Sequence, residues 1–331
     1  MTSSVGQIER STQDRIVTLF RDRLGYRYLG DWSDRSDTQN VEEALLTRWL
    51  QQQGYDTKIV SRAAYKLQQA AALGGSTTLY QANRDVYELL RYGVKVKPGA
   101  GENAVTVHLI DWERPEANDF AVAEEVTVQG ENTKRPDVVL YVNGIALGVL
   151  ELKRSKVSVE EGIRQNLDNQ KKTFIEPFFT TMQLVLAGND TQGLRYGTIQ
   201  TPEKYYLSWT EDAEVAPDPA SDAATAYDID RDLLRMCRKD RLLEIIHDFV
   251  VFDAGTKKIC RPNQYFGVRA AQKNVQDRQG GIIWHTQGSG KSLTMVWLAK
   301  WIRENVADAR VLIVTDRVEL DDQIESVFQG V

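Results

Sequence analysis

The sequence predicts an α/β protein in two parts. A small mixed sheet flanked by helices comes first, and the opening of a parallel, phosphate-wrapping unit follows. Three observations carry this reading. Asn143-Gly144 stands between the apolar runs 138–142 and 145–150, the strongest short signal for a β-hairpin. Amphipathic helical periodicity precedes and follows that hairpin. Near the far end, Gly288-Ser289-Gly290-Lys291-Ser292 lies between an apolar run and a helical pattern.

The elements follow in order. Ile16, Leu19, Phe20 and Leu24 share a face of a first helix over 12–24, which Gly25 stops. Asn40 with Glu43 three residues on suggests a cap for a second helix through Leu50, and a third runs over 61–73 to Gly74-Gly75. A helix over 82–91 precedes strands at 94–96, 105–110 and 120–128. Ser158 and Glu161 read as a capping box for a helix over 159–172, on which Gln165 and Asn169 lie one turn apart. Short strands at 184–187 and 205–209 finish the first part. Residues 211–228 shift to Ala, Asp and Pro without apolar periodicity, which marks a linker or insertion. Expected boundaries are therefore 1–210, a linker over 211–229, and 230–331 as a helical bridge with the opening of the second domain.

The chemistry starts at the hairpin, RPDVVLYVNGIALGVLELK over 135–153. Strand side chains alternate, so Glu151 and Lys153 point the same way. Burying a carboxylate and an ammonium in an apolar strand is costly unless they pair with each other or with a metal. An isolated E-x-K reads as a structural ion pair. Asp137, brought beside it by the hairpin, changes that reading, because two carboxylates suit a hard divalent cation that takes oxygen ligands. Register raises an obstacle: a strict two-residue turn sets Asp137 opposite Leu150, facing away from Glu151. The metal reading therefore requires one slipped residue, expected as a bulge near Pro136-Asp137 or a three-residue loop.

RPD, then ELK fourteen residues on from the aspartate, then a helix carrying Gln165, resembles the PD-(D/E)xK nuclease core. In detail it resembles the endonuclease domain of type I restriction enzyme R (HsdR) subunits, as do FAVAEEVTVQG, GIRQNLDNQ and GLRYGTIQTPEKYYLSW. The resemblance implies that Asp137 and Glu151, with the Leu152 carbonyl, hold Mg2+, and that Lys153 orients or activates water. It gives Gln165 a part in holding the site or the DNA backbone. The family usually has tyrosine where this chain has Asn169. The implied activity is non-specific cleavage of double-stranded DNA after ATP-driven translocation by the full-length subunit. Modification and specificity subunits, which bring S-adenosylmethionine, are the implied partners. A helicase-like repair motor that only grips DNA, or a catalytically silent docking module, are the alternatives. The acidic residues Glu9, Glu42 and Glu43 read equally well as caps or solvated side chains and stay outside the site.

In GIIWHTQGSGKS over 281–292, strand, glycine-rich loop and helix follow one another as a P-loop requires. Backbone N–H groups of Gln287 to Gly290 would curl around phosphate oxygens. Lys291 would reach the β/γ-phosphates of ATP, and Ser292 would hold Mg2+. Gln264, in Arg261-Pro262-Asn263-Gln264-Tyr265, resembles the adenine-reading glutamine of superfamily 2 helicases. Residues 310–316 read as a second buried strand, and TDRVELDDQ resembles a further helicase motif. No DEAD-like sequence follows Ser292, so a RecA-like motor cut off after its first βαβ unit is expected.

Composition excludes some classes. The 331 residues are 42% hydrophobic and 27% charged, with no apolar run near the twenty residues of a membrane span. The N-terminus lacks the layout of a signal peptide. Cys237 and Cys260 form no C-x-x-C pair, so a reducing, cytoplasmic setting is the default. A net charge of −6 does not advertise nucleic-acid binding, so DNA contact must come from local patches such as Lys153-Arg154 with Lys156, or the basic residues between Arg231 and Arg241.

Overall fold

A computed structural model describes residues 4–36, 38–99, 101–211, 225 and 227–314. The chain divides into two compact units, Met1–Ser208 with Asp218–Leu243, and Trp209–Pro217 with Glu244–Val331. Residues 230–243 fall in the first unit and the described residues from 244 on in the second.

In the first unit, α1 (Ser4–Asp22) leads to β1 (Arg27–Asp31), and α2 (Glu43–Gln52), α3 (Thr57–Ala71) and α4 (Leu79–Tyr92) follow. A small hairpin, β2 (Val94–Val96) and β3 (Val105–Val107), precedes β4 (Phe120–Glu124), β5 (Val138–Val142) and β6 (Ile145–Leu152). Then come α5 (Val159–Asn169), β7 (Leu184–Asn189), β8 (Gly193–Gly197) and α6 (Asp228–Met236). The main sheet is mixed, in the order β1-β4-β5-β6-β7-β8. β4, β5 and β6 are antiparallel neighbours, whereas β6 and β7 run parallel and α5 makes the crossover between them. Every residue of β4, β5, β6 and β7 is buried, which explains why these strands read as continuous apolar runs.

Several local expectations are corrected. Ser158 makes no capping bond to α5; the Gln192 side chain accepts from the Val159 N–H at 2.8 Å instead, and the helix ends at Asn169. Asn40 does not cap α2 but donates to the Pro177 carbonyl and to Thr180. Asp56 caps α3 four residues earlier than periodicity suggested. Residues 205–209 form only an isolated bridge, Tyr196 with Leu207, and β8 was not anticipated.

The Asn143-Gly144 turn forms as expected, with φ of +53° and +81°, and pairs Val142 with Ile145. Asn143 is fully buried, accepting from the Asp119 N–H and donating to the Leu109 carbonyl and to Asn118. The slip that the metal reading required is present, although not near Pro136-Asp137. It lies mid-strand, between Leu140 and Tyr141, where Leu147 is the extra residue on β6. Val138 thereby pairs with Leu150, and the register carries Asp137 opposite Glu151.

The second unit contains the later half of α7 (Lys239–Asp248), a hairpin of β9 (Val250–Asp253) and β10 (Thr256–Ile259), α8 (Pro262–Gln276) and α9 (Lys291–Asn305). Trp209, Tyr265, Phe249 and Trp297 form an aromatic core there, with ring centroids 5.0–5.9 Å apart in successive pairs. The strands expected at 282–284 and in the described part of 310–316 are not formed. Ile282, Trp284, Leu312 and Val314 are exposed, and a strand has no ladder to join without a neighbour among the described residues. The TDRVELDDQ motif lies outside the described residues.

Candidate active site

The end of the hairpin opposite its turn borders a cleft of roughly 370 Å3 lined by Arg10, Gln13, Glu125, Arg135, Asp137, Glu151, Lys153 and Gln165. Five elements, α1, β4, β5, β6 and α5, converge to build it. The bulge sets Asp137 and Glu151 on one face, alternation adds Lys153 to that face, and the α5 crossover delivers Gln165. All four residues expected from sequence meet here.

Glu151 is only 1% exposed. Its Oε1 accepts from Lys153 Nζ at 2.9 Å, while Oε2 is buried beside Asp137 and receives no hydrogen bond from a donor among the described residues. Burial pushes the Glu151 carboxyl well above the usual carboxylate range, the neighbouring Asp137 pushes it further, and the Lys153 ammonium opposes both. Asp137 accepts the Leu152 N–H through Oδ2 at 2.6 Å. In an extended strand a residue's N–H and C=O open to the same side, so the Leu152 carbonyl also opens toward Asp137. Lys153 is held from two directions, by Glu151 and by Gln165 Oε1, the latter also at 2.9 Å. Its ammonium is therefore fixed at the wall of the cleft rather than free in solvent.

These donors fit a hard divalent cation. They are all oxygens, one is a buried carboxylate oxygen with no proton donor, and a second carboxylate stands beside it. Among the described residues no group of three or more His, Cys, Asp or Glu side chains is placed to hold a metal ion by itself. Two carboxylates and a carbonyl leave coordination positions for water and phosphate, as Mg2+ prefers.

Asn169, one turn beyond Gln165, does not line the cleft. Its amide is buried and neither of its polar atoms finds a partner. Glu42 pairs with Arg35 at 2.7 Å, away from the cleft. Of the basic residues between Arg231 and Arg241, Arg231 pairs with Asp228 and Arg238 with Asp240. Sequence reasoning missed Arg10, Gln13, Glu125 and Arg135. Arg135 was legible in principle, immediately before Pro136-Asp137; the others arrive from α1 and from the end of β4. Gln13 donates to Glu124 at 2.9 Å and so ties α1 to the sheet beside the site.

In the second unit, Gly288 and Gly290 take φ of +77° and +85°, and Gly290 caps the start of α9. Lys291 Nζ donates to the carbonyls of His285 and Thr286 at 3.1 and 3.3 Å, curling the loop over its own lysine. Gln264 is buried and engaged at both ends, accepting from the Arg261 N–H and donating to the Gly290 carbonyl at 2.8 Å. It therefore braces the loop. Ser289 is buried; Gln287, Gly288 and Lys291 lie at the surface, with Ser292 half-buried.

The chain belongs to the family described as type I restriction enzyme R protein N terminus, which matches residues 7–204. Residues 263–331 match the family described as SWI2/SNF2 ATPase. Among curated relatives, the putative type I restriction enzyme MjaIXP endonuclease subunit of Methanocaldococcus jannaschii is 29% identical over 275 residues, covering 74% of this chain and 26% of that protein. The type I restriction enzyme HindI endonuclease subunit of Haemophilus influenzae is 29% identical over 271 residues, 75% of this chain and 25% of that protein. A Staphylococcus aureus counterpart, the SauMSSORF170P endonuclease subunit, is 24% identical over 231 residues, 69% and 24% respectively. The chain thus spans about a quarter of the length of the relatives it matches. No helix among the described residues is long and apolar enough to cross a membrane.

Proposed function

We propose that the first unit is a PD-(D/E)xK endonuclease domain that hydrolyses phosphodiesters of double-stranded DNA with Mg2+. The observation that carries this is the Leu147 bulge, because it alone brings Asp137 and Glu151 to one face. Asp137, Glu151 and the Leu152 carbonyl would hold the ion. When bound, Mg2+ supplies Lewis-acid polarisation of the phosphodiester and a more acidic water. The residues do the rest. Burial and the neighbouring Asp137 make Glu151 a poor place for an isolated charge, so the pair gains from a cation. Lys153, fixed by Glu151 and Gln165, stands ready to orient the attacking water and to balance charge developing on the phosphate. Gln165 acts through that lysine as a positioning residue.

The second unit supports nucleotide binding in the same reading. The left-handed glycines and Lys291 outline a phosphate loop, with ATP as the ligand and Ser292 as the Mg2+ contact. In a full-length subunit this region would contribute to ATP-driven translocation. The relatives' names favour a type I restriction complex, where modification and specificity subunits would supply methylation, S-adenosylmethionine and site recognition.

The test is plasmid cleavage with Mg2+ or Mn2+, by the chain and by the assembled complex with ATP, for wild type and Glu151→Ala. Cleavage lost in the variant with folding retained supports the proposal. Inactivity of the wild-type complex overturns it in favour of a gripping or docking role.

A further inference from the structure

Two arginines stand at the cleft, and Glu125 touches both. Arg135 Nε meets Glu125 Oε2 at 2.6 Å, whereas Arg10, from α1, reaches Glu125 Oε1 at 3.7 Å and is shared with Asp14 at 3.1 Å, Glu124 at 3.4 Å and Asp31 at 3.7 Å. The arginine side chains are 45% and 56% exposed, whereas Glu125 is 16% exposed. Glu125 sits just past β4 at φ +52°, a left-handed conformation that is strained for a residue other than glycine. Its N–H donates to the Asp137 carbonyl at 2.9 Å, which anchors this bend beside the site. Such a conformation next to a candidate active site is a reason to look for a use.

The chemistry suggests one. A guanidinium fork matches a carboxylate and a phosphate equally well. The arginine ends of these pairs are solvent-exposed, where an ion pair adds little net stability, so one acidic partner can replace another at little cost. A second depression adjoins the cleft, sharing Gln165 with it and adding Lys134 and Arg164. The Lys134 ammonium lies over the Phe174 ring, 4.2 Å from its centroid, and Arg164 pairs with Glu203 at the surface. Arg10 and Arg135 in the cleft and Lys134 and Arg164 in the adjoining depression are thus cations within reach of a strand passing Gln165, set among the carboxylates Glu161 and Asp168.

We propose that Glu125 is a stand-in for a DNA phosphate: Arg10 and Arg135 grip it in the free protein and transfer their grip to a backbone phosphate when a duplex enters, with Lys134 and Arg164 following the strand beyond Gln165. This rests on the nuclease reading for the identity of the substrate, but the grip itself is independent of cleavage.

The experiment is fluorescence anisotropy of the 331-residue chain with a labelled, non-specific DNA duplex in EDTA, as a function of salt. The variants are Arg135→Ala, Arg135→Lys, Glu125→Gln, and Glu125→Gln combined with Arg10→Ala and Arg135→Ala. Arg135→Ala should weaken binding roughly 5–10-fold near 0.1 M salt and reduce the slope of log K against log salt by about 0.9. Arg135→Lys should keep the slope and lose part of the affinity. Glu125→Gln should tighten binding several-fold, and that gain should vanish when both arginines are absent. A gain that persists without the arginines, an unchanged slope in Arg135→Ala, or no duplex binding by the wild type would each overturn the proposal. Cleavage by the same chain or complex, scored separately with Glu151→Gln, tells failure of the nuclease reading from failure of the grip.

Discussion

Replacing Glu151 by glutamine should stabilise the metal-free protein while ending cleavage. The side chain is 1% exposed, and its Oε2 is buried without a donor. Glutamine keeps an acceptor for Lys153 and offers Asp137 an amide donor. Relieving one unmet buried polar atom is worth about 1–3 kcal/mol. In a domain of this size that is a rise of roughly 2–12 °C in Tm. The pH dependence gives a sharper criterion. Because burial and Asp137 raise the Glu151 carboxyl, the folded protein keeps a proton that the unfolded chain releases above the ordinary carboxylate range. This group's contribution to stability is therefore complete below that range and declines as pH rises through the raised folded value. Glutamine has no such decline. Thermal unfolding in EDTA should show a small difference between the two proteins near pH 4 and the largest one at alkaline pH. An equal gain at both ends, or a variant less stable throughout, would refute the reasoning. Mg2+ should stabilise the wild type and leave the variant unaffected.

Lys153→Met removes the ammonium bonded to Glu151 and should destabilise the protein in urea titrations, increasingly as pH rises and Glu151 loses its proton, with most of the loss recovered by adding Glu151→Gln. Gly144→Ala forces a side chain onto a φ of +81° with its Cβ 2.7 Å from Leu45 Cβ and 2.8 Å from the Glu42 carbonyl. A loss of more than about 1 kcal/mol should follow, measured by the same titration. Lys291→Ala should abolish binding of a fluorescent ATP analogue with little change in Tm, since the lysine is exposed and bonds only loop carbonyls among its described contacts.

The sequence exposed what is local. Asn143-Gly144 marked the hairpin, and alternation placed Glu151 with Lys153. The Leu147 bulge was anticipated as a necessity but put at the wrong end, because β5 and β6 are buried on both faces and show no polar alternation to fix their register. Proline at the strand entrance drew the irregularity there, whereas the slip is opposite Leu140 and Tyr141. Arg10, Gln13 and Glu125 were invisible for a different reason: α1 and β4 bring them in from more than ten residues away, and neither periodicity nor motif reports such a contact. Apolar runs at 282–284 and 311–314 read as strands by composition, yet composition does not supply the neighbouring strand that a ladder requires.

The central claim is most directly tested by crystals of the chain soaked in Mn2+ and measured at the manganese absorption edge. An anomalous peak between the carboxylates of residues 137 and 151, beside the carbonyl of 152, is the predicted result. Ordered side chains with no peak there, or with the two carboxylates turned to opposite faces of the sheet, would contradict it.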